Sequence, residues 1–261
     1  MRPRILREPM TSVRILAWSA WAPGLTTRRQ WLDFYQRKKR KSSDASPELD
    51  GISPLLRRRM SRLTRMSIAA ALDCCRRASV PPGKVRVVLA SRHGEMATAV
   101  KLLDQMLAGE PLSPMDFSGS VHHIPGFYFS LVTSNRLPMH AVAGGEASFA
   151  AGFLDALGLL SDRETPPVLL IYADDVLEPP FSRCEAQGTF PCAAAILLAG
   201  EKSAKGTPVR FGMRISRTGK PTRSLDRRPA SPPVLQFLRW WMKGSKDLEI
   251  SINGKVWRWE R

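Results

Sequence analysis

The chain has 261 residues and a mass of 29.1 kDa, and its 43% hydrophobic content is enough for one compact domain with a sizeable core. Forty Lys and Arg against 23 Asp and Glu give a net charge of +17 and a pI near 10.6, so the surface calls for an acidic partner: nucleic acid, an anionic membrane or an acidic protein. Cys74, Cys75, Cys184 and Cys192 show no CxxC spacing, which argues against a zinc ribbon or a disulfide scaffold and fits a reducing cytoplasm.

The opening MRPRILREPM is charged and carries two prolines, so it cannot form the apolar core of a signal peptide, and no later segment is long enough to span a bilayer. Residues 1–12 read as an extension outside the fold, with Met10 as an alternative start. Val13–Trp18 alternates as a short strand, and WSAWAPGL then turns at Pro23-Gly24. Arg28–Lys41 is strongly basic and Ser42–Pro47 polar, so both read as an exposed connection in which RKKRK is a solvated charge run.

Ser53-Pro54 opens a long helix to about Ala78, with Leu56, Met60, Leu63, Ser67, Ala70 and Cys74 on one face and Arg58, Arg62 and Arg65 on the other. Pro81-Pro82-Gly83 ends it. Val85–Ala90 is a continuous apolar run of strand length, followed by Ser91-Arg92-His93-Gly94 and a helix carrying Met96, Val100, Leu103 and Leu107. Pro111–Ser118 reads as a loop, and His122–Ser134 as a largely apolar helix interrupted early by Pro125.

The segment HAVAGGEASFAAGFLDALGLL, His140–Leu160, is an apolar strand, a glycine pair and an Ala-rich helix beginning at Glu146. A strand that runs through glycine into a helix places one side chain at a helix N-terminus, where free N–H groups stabilise negative charge. Covalent acyl transfer would need Cys or Ser at that point, and this chain has a carboxylate. Val168–Ala173 and Ala193–Ala199 are further buried strands, with Asp174 and Asp175 read as a turn that ends the first of them. Lys220–Pro233 is a basic, proline-rich linker, Val234–Lys243 a short helix, and Val209–Ser216 and Glu249–Trp259 strands, the latter folded at Asn253-Gly254. This order of elements predicts a layered α/β fold with a mostly parallel sheet.

His93, His122, His123 and His140 lack the HxxxH and HExxH spacings, so no metal site and no cofactor are expected. GxSxG, GxGxxG and the P-loop pattern are absent, and Ser148 lies inside the first helical turn rather than at its tip.

Three segments, taken with that order of elements, resemble the N-terminal half of the β-ketoacyl synthases, and in particular their shortened, chain-length-factor-like relatives. They are WSAWAPGL at 18–25, LLRRRMSRLTRM at 55–66 with ASRHGE at 90–95, and GEPLSPMDFSGSVHH at 109–123 leading into VAGGEASFAAGFLDAL. The resemblance covers about residues 13–200. It implies a thiolase-like layered fold, N-terminal half only, with a buried central helix, in a domain over 13–216 against which residues 217–261 pack. It also implies that Glu146, flanked by Gly144 and Gly145, stands where a condensing synthase has its acyl-accepting cysteine. Residues 201–261 hold no histidine and no HGT-like segment, so the family's histidine pair is missing too.

The function so implied is a non-catalytic subunit of type II polyketide, aryl-polyene or fatty-acid-like biosynthesis. It would pair with a full-length synthase, or with itself, and meet an acyl carrier protein through Arg58, Arg62 and Arg65. Glu146 would either cap the helix alone or also shape a pocket. Two other readings stay open: a basic nucleic-acid-binding or regulatory protein using Trp240, Trp241, Trp257 and Trp259 as stacking platforms, and an acyltransferase with an unrecognised site.

Overall fold

The computed structural model describes residues 10–37, 44–162, 165–185, 189–216 and 232–261. Residues 1–9, most of the RKKRK run and most of the Lys220–Pro233 linker lie outside them. The strands are β1 (Thr11–Trp21), β2 (Arg86–Ala90), β3 (Met139–Val142), β4 (Val168–Asp174), β5 (Cys192–Gly200), β6 (Thr207–Ile215), β7 (Asp247–Ile252) and β8 (Lys255–Glu260). The helices are α1 (Arg28–Arg37), α2 (Pro54–Arg59), α3 (Arg62–Ala78), α4 (Met96–Leu107), α5 (Pro114–Gly119), α6 (Ile124–Thr133), α7 (Ser148–Leu159) and α8 (Pro233–Lys243).

All eight strands form one sheet in the order β3-β2-β4-β5-β1-β6-β8-β7. Only β2 with β3 and β2 with β4 are parallel, and the other five pairings are antiparallel. The expectation of a mostly parallel sheet is thereby corrected. Continuous apolar runs mark strands covered on both faces, and an antiparallel strand with both faces covered reads the same way as a parallel one. β4 and β5 are of this kind: Leu170, Tyr172, Ala194, Ile196 and Leu198 face one core, and Leu169, Ile171, Ala173, Ala193, Ala195 and Leu197 the other.

One face of the sheet carries α3 and α6, the other α7 and α8. α7 is the buried central helix, with Ser148, Phe149, Ala150, Gly152, Phe153, Ala156 and Leu157 all shielded from solvent. It lies close against the sheet because Gly152 has no Cβ; one there would fall 2.8 Å from Ala90 Cβ and 3.0 Å from Leu170 Cδ1. Its far side is closed by the C-terminal elements. Phe149 stacks on Trp259, Phe153 meets Phe211, and both meet Phe237 of α8. Residues 207–260 thus complete the sheet and core of the same fold.

The central helix is buried as the resemblance implies, because β6, β8 and α8 wrap it, and the same closure answers one sequence reading. Trp240, Trp257 and Trp259 are core residues, and Trp241 carries the Arg261 guanidinium 3.8 Å above its ring, so none of the four is an open stacking platform.

Other differences are local. β1 starts at Thr11, which takes residues 11 and 12 out of the proposed extension. Arg28–Arg37 is a helix, because Trp31 is buried and donates to Ala20 O. Pro111–Ser118 overlaps α5 in all but its last residue, and Ser113 caps that helix. The single helix expected from Ser53 to Ala78 is two: Met60 is extended and buried, and Ser61 caps a new N-terminus by accepting from Thr64 N. Pro125 sits in the first turn of α6, where no N–H is required.

Candidate functional site

The carboxyl ends of the three parallel-paired strands β3, β2 and β4 lie side by side, and each leads into a loop whose shape a polar residue fixes. After β3 the chain turns through Gly144 and Gly145, the latter at φ +57°, into a 3-10 turn, Gly145–Ala147, and then α7. Ser148 Oγ clamps this turn, donating to Gly145 O at 2.7 Å and accepting from Gly144 N at 3.0 Å. Ser148 is wholly buried, so its hydroxyl is structural.

Glu146 sits within the 3-10 turn with its side chain 56% exposed. Helix α7 begins two residues later and has no side-chain cap, so the expected capping of the helix by Glu146 is not what the structure has. The carboxylate instead faces Arg92 Nη2, 3.9 Å from its Oε1. The turn therefore offers a carboxylate and an engaged hydroxyl, and no thiol.

Arg92 belongs to the Ser91–Gly94 loop after β2. The loop is held by Asp174 at the end of β4, a buried carboxylate that accepts from Ser91 Oγ at 2.8 Å and Arg92 N at 2.7 Å, and also from the Tyr172 hydroxyl. Burial drives the Tyr172 phenol well above its ordinary value, and the neighbouring Asp174 charge adds to this, so Tyr172 is a fixed donor. Gly94, at φ +61°, leaves room for the His122 ring, whose Nδ1 lies 2.5 Å from where a Cβ would stand. Asp174 is thus a clasp between the end of β4 and the loop after β2 rather than the turn residue its position suggested.

Asp175 also has a partner across the fold. Arg62 Nη2 donates to its Oδ1 at 2.6 Å and Arg62 Nε to its Oδ2 at 2.9 Å, a fork-on-fork pair that ties α3 to the end of β4. That hydrogen bonding raises Arg62's pKa. Arg65 turns inward as well and donates to Arg57 O. Of the three arginines expected to share an outer face, only Arg58, on the separate helix α2, is exposed, and Arg59 is exposed beside it.

The histidines do not converge. His140 Nδ1 lies 2.8 Å from Asp155 Oδ2, His122 Nε2 3.4 Å from Val142 O, and His123 packs by Gly126. Burial lowers the pKa of His93. Among the described residues no group of three or more His, Cys, Asp or Glu could hold a metal ion. Cys74 and Cys75 are core residues of α3, and burial pushes the Cys75 thiol up to about 11, too high for a nucleophile at neutral pH.

This architecture is that of the thiolase-like ketosynthases. The chain superposes on one from the complex of the ketosynthase ApeO with its chain length factor ApeC from Xenorhabdus doucetiae, with a TM-score of 0.77 at 24% identity, covering 96% of this chain and 99% of that one. The ishigamide ketosynthase/chain length factor gives 0.62 at 18% identity, over 79% of this chain and 68% of that one. A type II polyketide acyl-carrier protein in complex with its hexaketide-bound ketosynthase gives 0.61 at 14%, over 79% and 69%. A search of curated protein sequences returned no match. Residues 31–260 match the family described as β-ketoacyl synthase, N-terminal domain, and the chain belongs to that family. The match extends some sixty residues beyond the segment that the sequence resemblance covered, in keeping with the C-terminal closure of the fold.

Proposed function

We propose that this protein is a non-catalytic, chain-length-factor-like subunit that pairs with a full-length β-ketoacyl synthase and meets an acyl carrier protein in a polyketide-, aryl-polyene- or fatty-acid-like pathway of the cytoplasm. The observation that carries the pairing is the placement of exposed apolar side chains. Ten of the twelve exposed large hydrophobics among the described residues fall between Leu103 and Leu154. Leu107 is 87% exposed, and Met106, Met115, Phe117, Phe127 and Leu131 are each more than half exposed. Patches of this kind mark protein interfaces, and a standard one buries roughly 1,600 Å² in total. They belong to the elements that precede and follow β3 in the chain, and β3 is an edge strand with one ladder unpaired among the described residues.

Glu146 supports the non-catalytic half of the proposal. A carboxylate in the turn that enters the buried helix cannot form a thioester, and the adjacent Ser148 hydroxyl is engaged on both sides. The exposure of Arg58 and Arg59 supports a contact of these two with an acidic carrier protein, while Arg62 pairs with Asp175. The burial of Trp240, Trp257 and Trp259 removes the main support for nucleic-acid binding. Among the described residues no helix is long and apolar enough to cross a membrane.

The test is coexpression with a full-length ketoacyl synthase, followed by size exclusion with light scattering and intact-mass analysis after exposure to acyl-loaded carrier protein. A stable complex with acyl adduct on the synthase only is expected. An adduct on this chain, or a monodisperse monomer indifferent to every synthase offered, overturns the proposal.

A further inference from the structure

Charge is distributed unevenly along this chain, and the apolar face lies where bases are scarce. Residues 95–160 contain two of the forty Lys and Arg, Lys101 and Arg136, and six acids: Glu95, Asp104, Glu110, Asp116, Glu146 and Asp155. That stretch has a net charge of −4 within a chain of +17, and it is the stretch that exposes the apolar side chains.

Part of this charge is already engaged or hidden. Lys101 Nζ sits 2.7 Å from Asp116, His140 faces Asp155, and Glu95 is buried beneath the hydroxyls of Ser61 and Thr64. Apart from Arg136, which is exposed beside α6, what remains on the surface of this stretch is acidic. Asp104 and Glu110 are exposed and have no ion-pair partner among the described residues, and Glu146 is held only by Arg92 at 3.9 Å. Asp104 lies between Leu103 and Met106 on α4, and Glu110 follows Leu107, the most exposed large apolar side chain among the described residues, by three positions, so both carboxylates border exposed apolar side chains.

A two-fold pair of identical chains sets the same patch against itself. Here that arrangement crowds carboxylates around an apolar contact, and like charges juxtaposed at an interface oppose binding. A different partner escapes the penalty if its apolar surface is rimmed by Lys or Arg. Resting on the pairing reading above, we propose that Asp104 and Glu110 select a synthase subunit with a basic rim on this face and disfavour a second copy of this chain.

The charges predict opposite responses from the two assemblies. Sedimentation measurements from low to high salt should show the complex with a coexpressed full-length synthase weakening, because its attraction is screened, while self-association of the isolated chain strengthens. The double substitution Asp104→Asn with Glu110→Gln removes both charges at exposed positions with little change in size. It should weaken the synthase complex by about tenfold and strengthen self-association by a similar factor.

A synthase complex indifferent to salt and to the double substitution, or a homodimer of this chain that tightens at low salt, overturns the inference and leaves pairing itself standing. Failure of every synthase to bind overturns both. Binding of anionic lipid vesicles through the same face, abolished by Leu107→Lys, assigns the apolar patch to a membrane and overturns the inference as well.

Discussion

Two regions of this molecule use the same kind of side chain for opposite ends. Around α7, the aromatic residues of β6, α8 and β8 are turned inward, and Trp240 and Trp259 are among the largest fully buried side chains in the fold. Across α4 to α6, leucine, methionine and phenylalanine are left in solvent, with only Val100 and Leu102 of α4 buried and no buried residue in α5. Both segments are apolar in sequence, so hydrophobicity alone does not say what will cover them. The difference is supply. The chain after β5 provides a helix and three strands to cover the central helix, and the described chain provides no equivalent layer over α4 and α5.

The sharpest way to break the inner region is Trp259→Ala. It removes a wholly buried ring in contact with Phe149, Phe153, Phe211 and Phe237, and should cost about 3–5 kcal/mol in denaturant unfolding. Gly152→Val should cost about 1–3 kcal/mol by pushing α7 off β2 and β4, read in the same assay.

Arg62→Ala should cost about 1–2 kcal/mol by stripping Asp175 of its fork, whereas Arg58→Glu should leave stability within about 0.5 kcal/mol and weaken carrier-protein capture at low salt. Equal effects at the two arginines would erase the distinction between a structural and a surface role. Leu107→Lys is the smallest in stability, within about 0.5 kcal/mol, and the most telling for the outer region: it should abolish the synthase complex while the isolated chain becomes better behaved.

A pH experiment probes the boundary between the regions, where Glu95 bridges α4 to the start of α3. Burial raises the Glu95 carboxyl above its ordinary range and outweighs the hydrogen bonds from Ser61 and Thr64. A folded pKa above the unfolded one means that this group's contribution to stability is fullest below the unfolded value and is lost as pH rises through the folded one. Glu95→Gln should therefore look most favourable relative to wild type above neutrality, and thermal unfolding across pH 4 to 8 should show that advantage shrinking toward acid.

Much of the inner region was legible in the sequence. The strands at 168–174 and 192–200, the helix at 233–243 and the Asn253-Gly254 hairpin follow from local pattern, and both turn residues have the positive φ that such a hairpin needs. Helix α1 was hidden because basic residues masked Trp31, Leu32, Phe34 and Tyr35. The exposure of α4 could not be read, because its apolar spacing is helical while no surface that receives Leu103 and Leu107 lies in the described chain. At the candidate site, the glycine turn and Glu146 could be read from local sequence. The Asp174 clasp and the Arg62–Asp175 pair could not, since they join residues 83 and 113 positions apart.

The place of β1 in the sheet sets a constraint on how the protein is made. β1 leaves the ribosome well before its two neighbours, β5 and β6, with Val13 opposite both Gly200 and Val209. No hairpin can form early on its account. Contacts this distant in sequence slow folding, and for most of synthesis an apolar strand with two open edges awaits partners not yet translated. Nascent chains halted before residue 192 should therefore be bound by chaperones and sensitive to protease, and protection of β1 should appear only once β5 and β6 have emerged.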